Sequence, residues 1–207
     1  MGTIAYGMVI GVALAAPIGP INIEIVTRGL RHGFQNGWLI GLGALTADTL
    51  YATIVVSGFT PIADRPALRA PLFLAGAAML GLVGYRSIRS ALSPALAADV
   101  EVPRGHRSYA TGFLMAAFNP MSIVYWLSVG AALVAESVDR LGRVGAPVLV
   151  GGVFLGLLAW VTSLAMVATV SRRFVTGVGM RWVTGLSGAI LVGFAIWFLL
   201  QGIRSIG

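Results

Sequence analysis

A chain of 207 residues that is 57% hydrophobic and only 10% charged lies well outside soluble globular usage and belongs in lipid. The net charge of +7 does not point to nucleic acid, because the arginines sit at the junctions of apolar segments and not in a stripe interleaved with stacking aromatics. With no cysteine, disulfides and thiolate metal sites are excluded.

Six stretches are apolar and long enough to cross a hydrocarbon core, which takes about 20 helical residues. They run over 4–27, 37–59, 72–90, 109–135, 147–170 and 182–203. Short linkers between them hold nearly all the charge, so the chain reads as a single all-α, polytopic membrane domain over 1–207. No charged region with a small-residue cleavage site precedes the first stretch, which is therefore read as a span and not as a signal peptide.

The first span is interrupted. In AAPIGPINIE, Pro17, Gly19 and Pro20 fall roughly 15 Å along the helix, near the midplane. Proline removes a backbone donor and clashes with the preceding turn, and glycine permits unusual dihedrals, so the helix is kinked or locally unwound there. Lipid cannot satisfy the freed polar groups, which must face protein or a water-filled cavity. A plain structural kink is the alternative. Asn22 is placed to donate and accept across the break. Glu24, on the other side of the helix, is open to two readings: an interfacial acid paired with Arg28 four residues on, or a functional group beside the break.

The second span carries Asp48 about 16 Å from its start, near the bilayer centre, where an acid costs on the order of 3 kcal/mol to insert. Gly37, Gly41 and Ala44 share its stripe, so it faces a packed neighbour and not lipid. A carboxyl so placed is able to gain and lose a proton during transport, or else is a hydrogen-bonded group tying helices together. After the third span, Arg86, Arg89, Arg104 and Arg107 are within reach of anionic lipid, although topology alone accounts for them. The fourth span is interrupted in its turn, by Asn119 and Pro120. Trp126 and Trp160 fall deep enough to line a cavity, whereas other tryptophans suit an interfacial belt. His32 and His106 both fall in linkers, which leaves no embedded metal pair.

The halves are related. Gly37, Gly41, Ala44 and Asp48 recur at identical spacing as Gly152, Gly156, Ala159 and Ser163. Gly76-Ala77 with Gly81 answers Gly188-Ala189 with Gly193, and Ile-Arg-Ser closes both third and sixth spans. A three-helix unit repeated once inverts its second copy, giving a 3+3 inverted repeat of 1–92 and 108–207 joined by linker 93–107, with broken helices 1 and 4. Paired broken helices in such a repeat point to a transporter binding site. Ser163 is expected at the place equivalent to Asp48. Nine arginines fall on linkers one, three and five and five on the opposite side, which puts both termini outside.

Gly19-Pro20-Ile21-Asn22, Arg28-Gly29, the Gly33, Gly37, Gly41 run, Asp48 and Phe118-Asn119-Pro120 together resemble the LysE/RhtB amino-acid exporters over essentially the whole chain. The resemblance implies a six-helix secondary exporter of amino acids or similar small metabolites in the plasma membrane, coupled to protons, with no catalytic residue, cofactor or bound metal. Its partners would be a small-molecule substrate, protons and the bilayer; oligomeric state is not legible. Pro17, Gly19, Pro20, Asn22, Glu24, Asn119 and Pro120 are the expected substrate-binding residues, and Asp48 the proton-coupling one. Glu24 and Met121 depart from the family pattern, in which the first position is apolar and the second commonly basic. A divalent-cation exporter and a non-transporting membrane module are the alternatives. The first is disfavoured because hard cations want several oxygens and only two acids are embedded.

Overall fold

The computed structural model describes residues 2–16, 19–56, 66–92, 105–126, 145–175 and 177–204, together with residues 130, 135 and 139. These form α1 (Thr3–Ala15), α2 (Pro20–His32), α3 (Phe34–Val56), α4 (Pro66–Leu92), α5 (Gly105–Ala117), α6 (Pro120–Tyr125), α7 (Gly145–Ser171) and α8 (Gly177–Arg204). Among the described residues there is no strand. Four helices, α3, α4, α7 and α8, are long and apolar enough to cross a membrane, and α1 with α2 makes a fifth span if the bent pair is counted as one. The fold is that of a multi-pass helical membrane protein. Large apolar side chains such as Val9, Leu155, Met166, Val167, Leu186 and Ile203 are exposed on its outer surface, as lipid contact requires.

The single first span expected over 4–27 is two helices. Their axes diverge by 83°, which is a change of direction and not a mild kink. Pro20 occupies the first position of α2, where its missing N–H costs nothing, so the proline starts the second helix well after the first has ended at Ala15. The expected fourth span over 109–135 breaks likewise, with α5 ending at Ala117 and α6 starting at Pro120. Most of its remainder, like Pro17, lies outside the described residues.

Three pairs of helices lie along each other: α1 with α7, α3 with α5, and α4 with α8. Small residues set the first two contacts. Gly7 and Gly11 of α1 abut the backbone of Leu149, Gly152 and Val153, while Gly152 and Gly156 abut the backbone of Ile4 and Met8. On the other side, Gly112 of α5 lies against the Ile40 carbonyl, and Gly43 of α3 against that of Tyr109. Close backbone approach replaces the hydrophobic driving force that lipid does not supply. The half-helix α2 fills the centre, touching α3, α7 and α8, and is buried on several faces through Ile23, Ile25, Thr27, Gly29 and Leu30. It ends at Gly33, whose φ of 84° lies in the left-handed region that favours glycine.

The ends of these helices bring described arginines of different odd linkers near one another. Arg31 donates to the Ser90 hydroxyl at 2.7 Å, Arg181 donates to the Ala91 carbonyl at 3.0 Å, and Arg172 lies beside Gly33.

Candidate functional site

A helix that stops in the bilayer leaves carbonyls without partners, and both breaks are answered by side chains. Asn22 Nδ2 donates to the Ala15 carbonyl at 2.7 Å, reaching from the second half-helix back to the end of the first. Tyr51 Oη, from α3, donates to the Ala117 carbonyl at 2.6 Å, at the end of α5. Trp160 Nε1 of α7 donates to Asn22 Oδ1 at 3.4 Å. Among the described residues, no buried side-chain nitrogen or oxygen lacks a partner.

Between the two breaks lies a cavity of about 510 Å³. The end of α1 and the start of α2 form one wall through Ala15, Gly19, Pro20, Ile21 and Asn22. Asn119 and Ser122 come from the second break, where Asn119 Nδ2 donates to the Ser122 hydroxyl at 3.1 Å. Gly41, Ala44 and Asp48 of α3 form a third wall, and Trp126 Nε1 donates to Asp48 Oδ1 at 3.1 Å. Tyr125, Trp160, Phe194, Trp197 and Phe198 add aromatic side chains to the lining of this partly open cavity. The size suits a small-molecule site, typically about 300–1,000 Å³, and so does the lining, mostly apolar with a few convergent polar groups.

The expected residues are thus brought together in part. Gly19, Pro20, Asn22, Asp48 and Asn119 share the cavity. Pro120 is buried at the start of α6 and is not among the lining residues. Glu24 is elsewhere: buried, it accepts from Arg28 Nε at 2.7 Å, and Arg28 also donates to Ser108, which donates to Asn36. Glu24 and Arg28 line a separate cavity of about 460 Å³ towards the arginine-rich face. Ser163 does not face the centre as expected but is exposed, as is Ala159. Beyond Leu157 the buried stripe of α7 runs through Val161, Ala165 and Ala168, which meet α2 and α3, and Ser163 lies on the outer side of that stripe. Tyr51, Ser122, Tyr125, Phe194 and Phe198 were not legible as site residues, although a tyrosine inside an apolar span such as Tyr51 signals a need for a hydroxyl partner. Among the described residues, no three His, Cys, Asp or Glu side chains come close enough to hold a metal.

The family model for LysE type translocators matches residues 12–202, a range that takes in both breaks and every described cavity residue. The chain belongs to the LysE type translocator family. Among its relatives is YcgF of Bacillus subtilis (strain 168), a protein named for amino acid efflux, which is 31% identical over 203 residues covering 96% of each chain. The threonine efflux protein of Escherichia coli (strain K12) is 28% identical over 205 residues, covering 96% of this chain and 97% of the relative. A relative with a different name, the chemotactic transduction protein ChpE of Pseudomonas aeruginosa, is 29% identical over 188 residues, covering 91% of this chain and 93% of its own. No solved structure matches the chain significantly. In this LysE-type chain the Gly19-Pro20-Ile21-Asn22 motif is the N-terminus of α2, and it lies on the cavity wall.

Proposed function

We propose that this chain is a secondary active exporter of amino acids or similar small metabolites in the plasma membrane. The observation that carries the reading is the meeting of two opposite polar elements in one cavity: the N-terminus of the buried half-helix α2 and the carboxyl of Asp48. An N-terminus carries the positive end of a helix dipole. With Asn22 and Asn119 it would hold a substrate carboxylate, while Asp48 would take the substrate ammonium or the coupling proton. A zwitterion satisfies both ends at once. The names of the relatives, amino acid efflux and threonine efflux, agree with that chemistry.

Alternating access follows if the halves are inverted copies, and the helix pairing supports this. Exchanging the first half for the second converts the α1–α7 pair into α5–α3 and returns α4–α8 to itself. The small residues agree, since in the self-related pair a Cβ on Gly84 would collide with the Gly188 carbonyl and a Cβ on Gly188 with that of Gly84. Rocking one half against the other would expose the cavity to each side in turn. Proton coupling would pass through Asp48, the one carboxyl among the described lining residues.

The test is export from whole cells carrying Asp48→Asn. This substitution keeps shape and removes the titrating charge, so insertion is expected to be normal and export lost. Retained export at normal protein levels would sink the role given to Asp48.

A further inference from the structure

The second cavity is not used by the proposed transport chemistry, and its charge needs an account. Three helices bring guanidinium groups to it: Arg28 and Arg31 from α2, Arg86 and Arg89 from α4, and Arg107 from α5. The one carboxylate among its described lining residues is Glu24, and Arg28 already occupies it at 2.7 Å. Arg31, half-buried, and Arg86, Arg89 and Arg107, exposed at the cavity mouth, therefore share this lining without an acid beside them among its described residues. Like charges one helical turn apart destabilise a helix, and gathering them from three helices adds to that cost unless an anion offsets it.

We propose that this cavity holds the phosphate headgroup of an anionic phospholipid. Guanidinium forks match phosphate oxygens in bidentate fashion, and Arg86 and Arg89 present two forks from one helical face, with Arg31 and Arg107 in the same lining and Arg28 held by Glu24 and Ser108. Ser87, Ser90, Thr27 and Thr111 add hydroxyls to the same lining. The rest of the wall favours a lipid over a soluble anion. Met79, Leu82 and Val83 continue it along α4, and Leu82 is 46% exposed on the outer surface, where acyl chains run. An inorganic phosphate would gain nothing from those residues. The arginine-rich face is also the one that the positive-inside rule turns towards the leaflet carrying anionic lipid.

Native mass spectrometry of the full chain in mild detergent, with phosphatidylglycerol or phosphatidylcholine added, tests this. Phosphatidylglycerol is expected to remain bound at levels where phosphatidylcholine does not, and millimolar inorganic phosphate should not displace it. The paired substitution Arg86→Gln with Arg89→Gln should weaken retention about tenfold, the loss of roughly 1.4 kcal/mol of binding. Arg86→Lys with Arg89→Lys preserves the topogenic charge and should fall between the two, because an ammonium lacks the fork. Equal retention of both lipids, or retention unchanged in the glutamine pair, would overturn the proposal. Displacement by inorganic phosphate would overturn it too, in favour of a soluble-anion site.

Discussion

The indole of Trp126 donates to the Asp48 carboxyl across 3.1 Å, joining the segment after the second helix break to the middle of α3. Each group explains the other, since an embedded acid needs a donor and a buried indole N–H needs an acceptor. If Asp48 couples proton movement to transport, this bond is where its charge is read by the other half of the chain. Trp126→Phe keeps the aromatic packing against Tyr125 and removes the donor. We expect it to cost about 1–3 kcal/mol of stability, the range for a lost hydrogen bond to an ionisable buried group, and to reduce export at equal protein level. Thermal unfolding in detergent and whole-cell export check it; unchanged values in both would remove Trp126 from the site.

Packing of the half-helices rests on glycines that admit no side chain. A Cβ at Gly112 would collide with the Ile40 carbonyl, which is backbone and cannot turn aside. Gly112→Ala should therefore destabilise by about 1–3 kcal/mol through overpacking. At Gly151, on the exposed side of α7, nothing lies within 4 Å, so Gly151→Ala should be neutral or stabilise by up to about 1 kcal/mol through helix propensity. Paired melting curves on the two variants decide whether the α3–α5 contact is as tight as described.

Glu24 gives a prediction of the opposite kind. Its carboxylate is buried and bonded to Arg28, away from the central cavity. Glu24→Gln should lower stability by about 1–3 kcal/mol, because Arg28 loses its charged acceptor, and should leave the range of exported amino acids unchanged. A stable variant with an altered substrate range would place Glu24 on the substrate path instead.

How much of this was legible in the sequence depends on the kind of residue. Pro20 and Pro120 announced both breaks because a proline ring removes a backbone donor and clashes with the preceding turn, although Pro71 is carried inside α4, so it was the company of Gly19 and Asn119 that marked these two as breaks. Asp48 announced itself through the cost of a carboxyl at mid-membrane, and its stripe of Gly37, Gly41 and Ala44 correctly faces inward. Glu24 was left between two readings, since spacing showed Arg28 in reach but not that the cavity lies on the other side of α2. Ser163 was misplaced for a related reason. The repeat preserves a stripe along α7, but α7 is covered by α1 at one end and by α2 and α3 further on, and periodicity does not say where one neighbour gives way to the next. The aromatic wall of Phe194 and Phe198 was illegible because apolar residues in an apolar span carry no positional signal.

The central claim is that this chain alone moves amino acids through the cavity where the breaks meet Asp48. Purified protein in liposomes, loaded with labelled amino acid and given an imposed proton gradient, tests it most directly. Wild-type protein should show gradient-dependent flux of at least one α-amino acid, threonine among those tried, and Asp48→Asn should reduce that flux to the level of empty liposomes. No flux of any amino acid from wild-type protein, or equal flux from the Asp48→Asn variant, would contradict the account.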